Sequence, residues 1–267
     1  MALLSGPGFP AAALPLLAAP LAVVGLLDDR HNLPASWRYG VQLLTAALML
    51  GFSPLVQRFG LAVASGSWLL LPVLALLVIA ATAVINFTNF MDGLDGLVAG
   101  CMAVAIGALA IKLSVSWPIW ALVGALLGFL LWNWSPAQVF MGDVGSTFLG
   151  AVFAALVLQA SCWPQALGLL LVATPLFGDA CLCVLRRWMA GQDVFQAHRQ
   201  HLFQRLHQAG WPHARVSLTY ITATAVLAVA LLTGGWPWVI ALAAFELLVG
   251  VWLDQRVAFP FSIASQS

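Results

Sequence analysis

Apolar residues fall in nine runs of about 17 to 22 residues, at 8–27, 40–57, 68–87, 97–113, 117–133, 145–161, 165–185, 216–233 and 236–253. A helix needs about that length to cross roughly 30 Å of hydrocarbon. A membrane barrel would instead show strands of ~10 residues with alternating polarity, and no such alternation occurs. The pattern predicts an all-α, polytopic membrane helix bundle of nine spans, folded as one domain over residues 1–267. The polar breaks are short except Arg186 to Arg215.

Composition sharpens this picture. The chain is 63% hydrophobic and 7% charged, against about 25% charged residues in a soluble domain. It cannot cover a water-facing surface. The long break holds Arg186, Arg187, Arg199, Arg205 and Arg215. If that break is cytoplasmic, strict alternation also places Arg30, Arg38 and Arg256 inside, leaving Arg58 and Lys112 outside, as the positive-inside rule expects. The expected topology has the N-terminus outside and the C-terminus inside, with cytoplasmic loops near 28–38, 87–96, 134–144 and 186–215. The first run lacks a basic lead and ends on Asp28 and Asp29, so it reads as a retained helix rather than a cleaved signal. Cys101, Cys162, Cys181 and Cys183 lie in or beside apolar runs, which argues against a disulfide framework. A net charge of +1 gives no reason to expect nucleic acid.

The nine acidic residues carry the chemical information. Asp28, Asp29, Asp92, Asp95, Asp143, Asp193 and Asp254 fall at the expected inner face, with Asp179 and Glu246 inside spans. Asp193 and Asp254 read as solvated helix ends. Asp179 at its depth needs a partner and is expected to make a structural ion pair or hydrogen bond. Three clusters stand out. Adjacent Asp28 and Asp29 repel each other unless a cation intervenes, which favours a hard divalent metal. Asn89, Asp92 and Asp95 recur every three residues, near one face of a helical turn, and Gly93 and Gly96 permit close backbone approach. Gly142-Asp143-Val144-Gly145 opens a helix whose free N–H groups and dipole suit a phosphate. Each cluster alone is also ordinary turn chemistry. Together on one side of a membrane they point to phosphoryl transfer, in which Mg²⁺ and cations neutralise charge while the protein positions the reactants.

The long break contributes His198, His201 and Arg205, at helical spacing on one expected polar face. The same stretch also reads as an amphipathic surface helix, with Leu202, Phe203 and Leu206 dipping into lipid. Paired histidines can take Zn²⁺, but the carboxylate-rich partners favour Mg²⁺.

The stretches GLLDDR, NFTNFMDGLDGLVAG, NWSPAQVFMGDVGSTFLG and HRQHLFQRL resemble, in order, those of the polyprenyl-phosphate N-acetylhexosamine-1-phosphate transferases. The resemblance implies Asp143 as a Mg²⁺ ligand, with Mn²⁺ as a substitute. It implies Asp28 as the carboxylate that deprotonates the lipid phosphate or acts as nucleophile, with Asp29 its partner near the metal. It also implies Asn89, Asp92, Asp95, Asn133 and Phe140 lining the nucleotide site, with Arg205 on the substrate side. His198 and His201 then face the diphosphate and sugar. The His-Arg-Gln-His order is more similar to the GlcNAc-1-phosphate branch than to the translocase branch, which has consecutive histidines. The implied partners are a UDP-N-acetylhexosamine, a polyprenyl (undecaprenyl) phosphate and the bilayer, with a homodimer as a further expectation. The implied place is the cytoplasmic face of a bacterial inner membrane, at the start of a cell-envelope glycan. Members of the family usually carry two further helices before the acidic pair, which here comes at residue 28. A scaffold and a transporter stand as rival readings.

Overall fold

The computed structural model describes residues 13–62, 70–194, 196 and 198–264. Within them the regular structure is entirely helical: α1 Leu14–His31, α2 Ala35–Gly51, α3 Pro54–Ala62, α4 Leu70–Phe90, α5 Leu97–Leu113, α6 Trp117–Asn133, α7 Gly142–Val157, α8 Trp163–Leu171, α9 Thr174–Met189, α10 Leu202–Gln208, α11 His213–Thr233, α12 Trp236–Arg256 and α13 Phe261–Ala264. Helices α4, α11 and α12 are each long and apolar enough to cross a membrane, and the protein is a membrane protein.

The bundle is built around two helices that are apolar on all sides. In α7 every residue from Leu149 to Val157 is buried, and α5 is buried along most of its length from Leu97 to Ala110. A helix without a polar stripe belongs inside a bundle. The outer helices show the reverse. Leu71, Leu76 and Ile79 on α4 and Phe245, Leu248 and Trp252 on α12 are exposed, as expected of surfaces facing lipid. Helix α7 packs against α1 and α4, while α5 packs against α6 and α11. Glycines set the closest approaches: Gly150 of α7 lies against Ile85 and Thr88 of α4, and Gly100 of α5 against Ile221 of α11.

The nine expected spans are not nine continuous helices. The run 165–185 is divided into α8 and α9, bent by 85°. Pro175 explains the break, since it has no N–H to bond to the carbonyl four residues earlier. That carbonyl, of Leu171, is taken instead by the Thr174 hydroxyl at 2.6 Å. The run 40–57 is likewise divided at Phe52 and Ser53, where Ser53 Oγ donates to the Leu158 carbonyl at 2.7 Å. Helix α1 continues past residue 27 to His31, and the start of the 8–27 run lies outside the described residues. Helices α5, α6 and α7 have 16 or 17 residues, a rise of only about 24–26 Å.

Candidate active site

Helix α1 ends where Asn32 adopts a left-handed conformation and bonds back to the Asp28 carbonyl. Three residues later α2 begins, so Arg38 in its first turn faces the last turn of α1. Arg38 Nη1 lies 2.8 Å from Asp28 Oδ2 and 3.5 Å from Asp143 Oδ2. The other Asp28 oxygen accepts the Leu33 N–H at 2.7 Å. Asp28 is buried and Asp29 is exposed.

The N-terminus of α7 meets this hairpin. Gly142, at φ +63°, leaves just enough room for the Asp29 carboxylate, since a Cβ there would lie 2.7 Å from Asp29 Oδ2. The Asp143 N–H donates to Asp29 Oδ1 at 3.3 Å, and the Gly142 N–H donates to the Asp92 carboxylate. The free N–H groups expected to hold a phosphate thus hold two carboxylates. Helix α4 supplies Asn89, whose amide donates to Asp143 Oδ1 at 2.8 Å and to Ser146 Oγ at 3.0 Å. Four carboxylates from three helix ends therefore meet, with Arg38 and Asn89 between them.

The crowding has an electrostatic signature. Burial first, and then the charges of Asp143 and Asp29, push the Asp92 carboxyl up to about 7. Negative charge in the cluster exceeds what Arg38 offsets. A hard divalent cation with oxygen ligands is the species that would relieve it, so the donor set fits Mg²⁺.

Asp143, Arg38 and Asn89 line a cavity of about 280 Å³ together with Tyr39, Gln42, Asn86, His198 and His201. Gln42 accepts from the Asn86 amide at 2.7 Å. The two imidazoles stack with centroids 4.9 Å apart. Burial, followed by the charges of His201 and Arg187, lowers His198 to about 4. It therefore presents a neutral ring to the cavity.

Other residues singled out in the sequence go elsewhere. His198, His201 and Arg205 do not share a helical face, because α10 begins only at Leu202, with His201 as its cap. Arg205 is buried, ion-paired with Asp254 and donating to the Phe259 carbonyl at 2.9 Å. It fastens the C-terminal segment rather than facing the cavity. Asp254, expected to be solvated, also pairs with Arg186 at 2.5 Å. The three-residue repeat of Asn89, Asp92 and Asp95 also divides, because α4 stops at Phe90. Asp95 accepts the Ala137 N–H at 3.2 Å and lies 3.1 Å from His213 Nδ1. Asn133 accepts from the Gly96 N–H and donates to the Val139 carbonyl. These two residues shape the 134–141 loop, on which Phe140 is exposed. Asp179 accepts the N–H groups of Leu202 and Phe203 and the Tyr220 hydroxyl, which anchors α10.

The sequence reading did not single out Arg38, Gln42, Asn86 or Ser146 as site residues. Asn86 and Ser146 lie within the matching stretches without a role assigned to them, no motif marks Arg38 or Gln42, and only the α1–α2 hairpin brings Arg38 to Asp28. A second cavity, of about 220 Å³ between α9, α11 and α12, is lined mostly by apolar side chains. Its cations Arg186 and Arg205 are already paired with Asp254.

A family model described as Glycosyl transferase family 4 matches residues 11–161. The chain is 30% identical over 224 residues to a probable undecaprenyl-phosphate N-acetylglucosaminyl 1-phosphate transferase of Bacillus subtilis, covering 75% of this chain and 59% of that protein. It is 34% identical over 246 residues to a phospho-N-acetylmuramoyl-pentapeptide-transferase of Acaryochloris marina, covering 80% and 64%. It is 33% identical over 271 residues to the transferase of the same name from Mycobacterium ulcerans, covering 82% and 74%. The chain thus spans about three-fifths of the length of the first two relatives.

Proposed function

Because the chain belongs to glycosyl transferase family 4, we propose that it moves an N-acetylhexosamine 1-phosphate from a UDP-sugar to a polyprenyl phosphate. The reaction releases UMP and starts a cell-envelope glycan at the cytoplasmic face of a bacterial inner membrane. One observation carries this reading: Asp143, where carboxylates from three helix ends meet, and Arg38, ion-paired with both Asp28 and Asp143, line the same cavity as His198 and His201. The similarity to enzymes named for this transfer supports it.

In the transfer an oxygen of the acceptor phosphate bonds to the sugar-bearing phosphorus as the bond from that phosphorus to the UMP oxygen breaks. Asp143, Asp29 and Asp92 are the residues that would hold Mg²⁺. When bound, the ion offsets negative charge on the diphosphate oxygens. Arg38 is the cation placed to draw the acceptor phosphate. As its guanidinium turns to that phosphate, Asp28 Oδ2 is released to take the acceptor's proton, because a general base must lie within hydrogen-bond reach of the proton it removes. Asn89 keeps Asp143 oriented. The neutral His198 ring and its neighbour His201 offer hydrogen bonds to the diphosphate and sugar.

The test is Mg²⁺-dependent UMP release by the protein in nanodiscs, given polyprenyl phosphate and a panel of UDP-acetamido sugars. Turnover on one of them is the expected result. UDP-sugar binding with no UMP release under any Mg²⁺ concentration would leave the scaffold reading in its place.

A further inference from the structure

Three soft-metal ligands converge at the edge of the acidic cavity, and the transfer reaction uses only two of them. Cys183 on α9 faces the stacked imidazoles of His198 and His201, and one ligand atom from each lies within 4.8 Å of the other two. Cys183 and His201 are both buried. His201 Nδ1 makes no hydrogen bond; the nearest carboxylate oxygen, Asp179 Oδ1, stands 3.6 Å away. A buried imidazole nitrogen without a partner is costly, and here it sits beside a thiol and a second imidazole.

We propose that Cys183, His198 and His201 form a binding site for Zn²⁺, separate from the carboxylate cluster, and that an ion there blocks the imidazoles from substrate. The inhibitory half rests on the transferase reading; the binding half does not.

The ligand chemistry favours this ion. Thiolate and imidazole suit Zn²⁺, whereas Mg²⁺ takes oxygen ligands. Three protein ligands with one open position are a recurring zinc arrangement. Tetrahedral bonds of 2.0–2.3 Å place ligand atoms about 3.5 Å apart, so the site must contract by about 1 Å at its widest. His198 is the ligand that can close, since it lies in the irregular stretch before α10. Binding forms a zinc–sulfur bond and releases the Cys183 thiol proton to solvent. Asp179, one helical turn before Cys183, brings negative charge beside His201. Arg187, a turn beyond Cys183, is turned away to Gln200 and the Asp193 carbonyl.

The experiment titrates Zn²⁺ and Co²⁺ into the purified protein in nanodiscs, with a phosphine reductant and millimolar Mg²⁺. Wild type, Cys183→Ala and Cys181→Ala are compared. One equivalent of Co²⁺ should bind with a thiolate charge-transfer band, present in Cys181→Ala and absent in Cys183→Ala. Zn²⁺ affinity should fall at least tenfold in Cys183→Ala. Zn²⁺ inhibition of UMP release should weaken by the same factor, with zinc-free turnover unchanged. If Cys183→Ala does not fold, His198→Gln gives the same binding readout. Equal zinc affinity in wild type and variants, or no thiolate band, overturns the site. Binding without inhibition overturns the blocking role. A thiolate band in a protein that turns over no UDP-sugar keeps the site and removes the transferase reading instead.

Discussion

Gly25 is the point where the geometry of the acidic cluster is most open to a small perturbation. A Cβ there would lie 2.7 Å from the Asp143 carbonyl carbon and from Val144 N and Cα. These are backbone atoms and cannot swing aside. Restoring ordinary contact at 3.4 Å moves α1 and α7 apart by about 0.7 Å. The Asp143 N–H to Asp29 bond, already 3.3 Å long, would then be broken, and Asp28 and Asp143 would no longer share Arg38. Overpacking of this kind costs about 1–3 kcal/mol, and misplacing reacting groups by about 1 Å costs on the order of 10²-fold in rate. Gly25→Ala should therefore lower kcat/KM for UMP release by roughly 10- to 100-fold and lower the thermal midpoint by a few degrees. Gly124→Ala and Gly128→Ala on α6 are the controls, because nothing lies within 4 Å of a Cβ at either position. Normal turnover and an unchanged midpoint in Gly25→Ala would refute the claim that this crossing fixes the cluster.

Asp143→Asn should abolish transfer across a full Mg²⁺ titration while the protein still inserts and melts cooperatively; near-normal turnover would remove Asp143 from the metal set. Asp28→Asn should lose turnover yet bind UDP-sugar with unchanged affinity, because the amide keeps the shape but takes no proton, and calorimetric titration checks this. Asp179→Asn weakens the acceptor for two backbone N–H groups and the Tyr220 hydroxyl, so yield should fall more than specific activity. Asp92 titrates at about 7 in the folded protein against 3.8 unperturbed, so in EDTA its contribution to stability is complete below pH ~4 and is lost as pH rises to 7, by up to about 1.4 kcal/mol per pH unit. Asp92→Asn should flatten that part of the melting profile, and identical slopes for wild type and variant would contradict the assignment.

Sequence legibility followed charge density. In a chain with nine acidic residues, adjacent Asp28 and Asp29 and the Gly-flanked Asp143 stand out because each burial of charge needs a reason. Arg38 does not stand out: it is ten residues from Asp28 with no motif around it, and its place depends on the Asn32 left-handed turn that closes the hairpin. Periodicity misled wherever a helix ended inside the repeat. Asn89 and Asp95 differ by six residues, nearly two turns, but α4 ends between them, and Gly96 at φ +73° redirects the chain. His198 and Arg205 were separated the same way, by α10 beginning at Leu202. The α8–α9 bend is invisible to hydropathy because the apolar run is unbroken. Pro175 marks it only once the vacant Leu171 carbonyl is considered.

The Gly142–Asp143 turn shows how a helix start can be engaged from within the chain. Free N–H groups at a helix start do favour an anion, and the α7 start does hold anions, but they are the chain's own carboxylates, Asp29 and Asp92. The positive end of α7 therefore holds two acids in place against their mutual repulsion. It does so only because Gly25 lets α1 approach and Gly142 leaves space for Asp29. A phosphate arriving in the cavity finds that helix end already engaged, so its oxygens must be met by Arg38, by the imidazoles or by a cation the acids hold. The division follows from electrostatics: the helix dipole serves the chain's own acids, and Arg38 with the two imidazoles is left to meet an arriving anion.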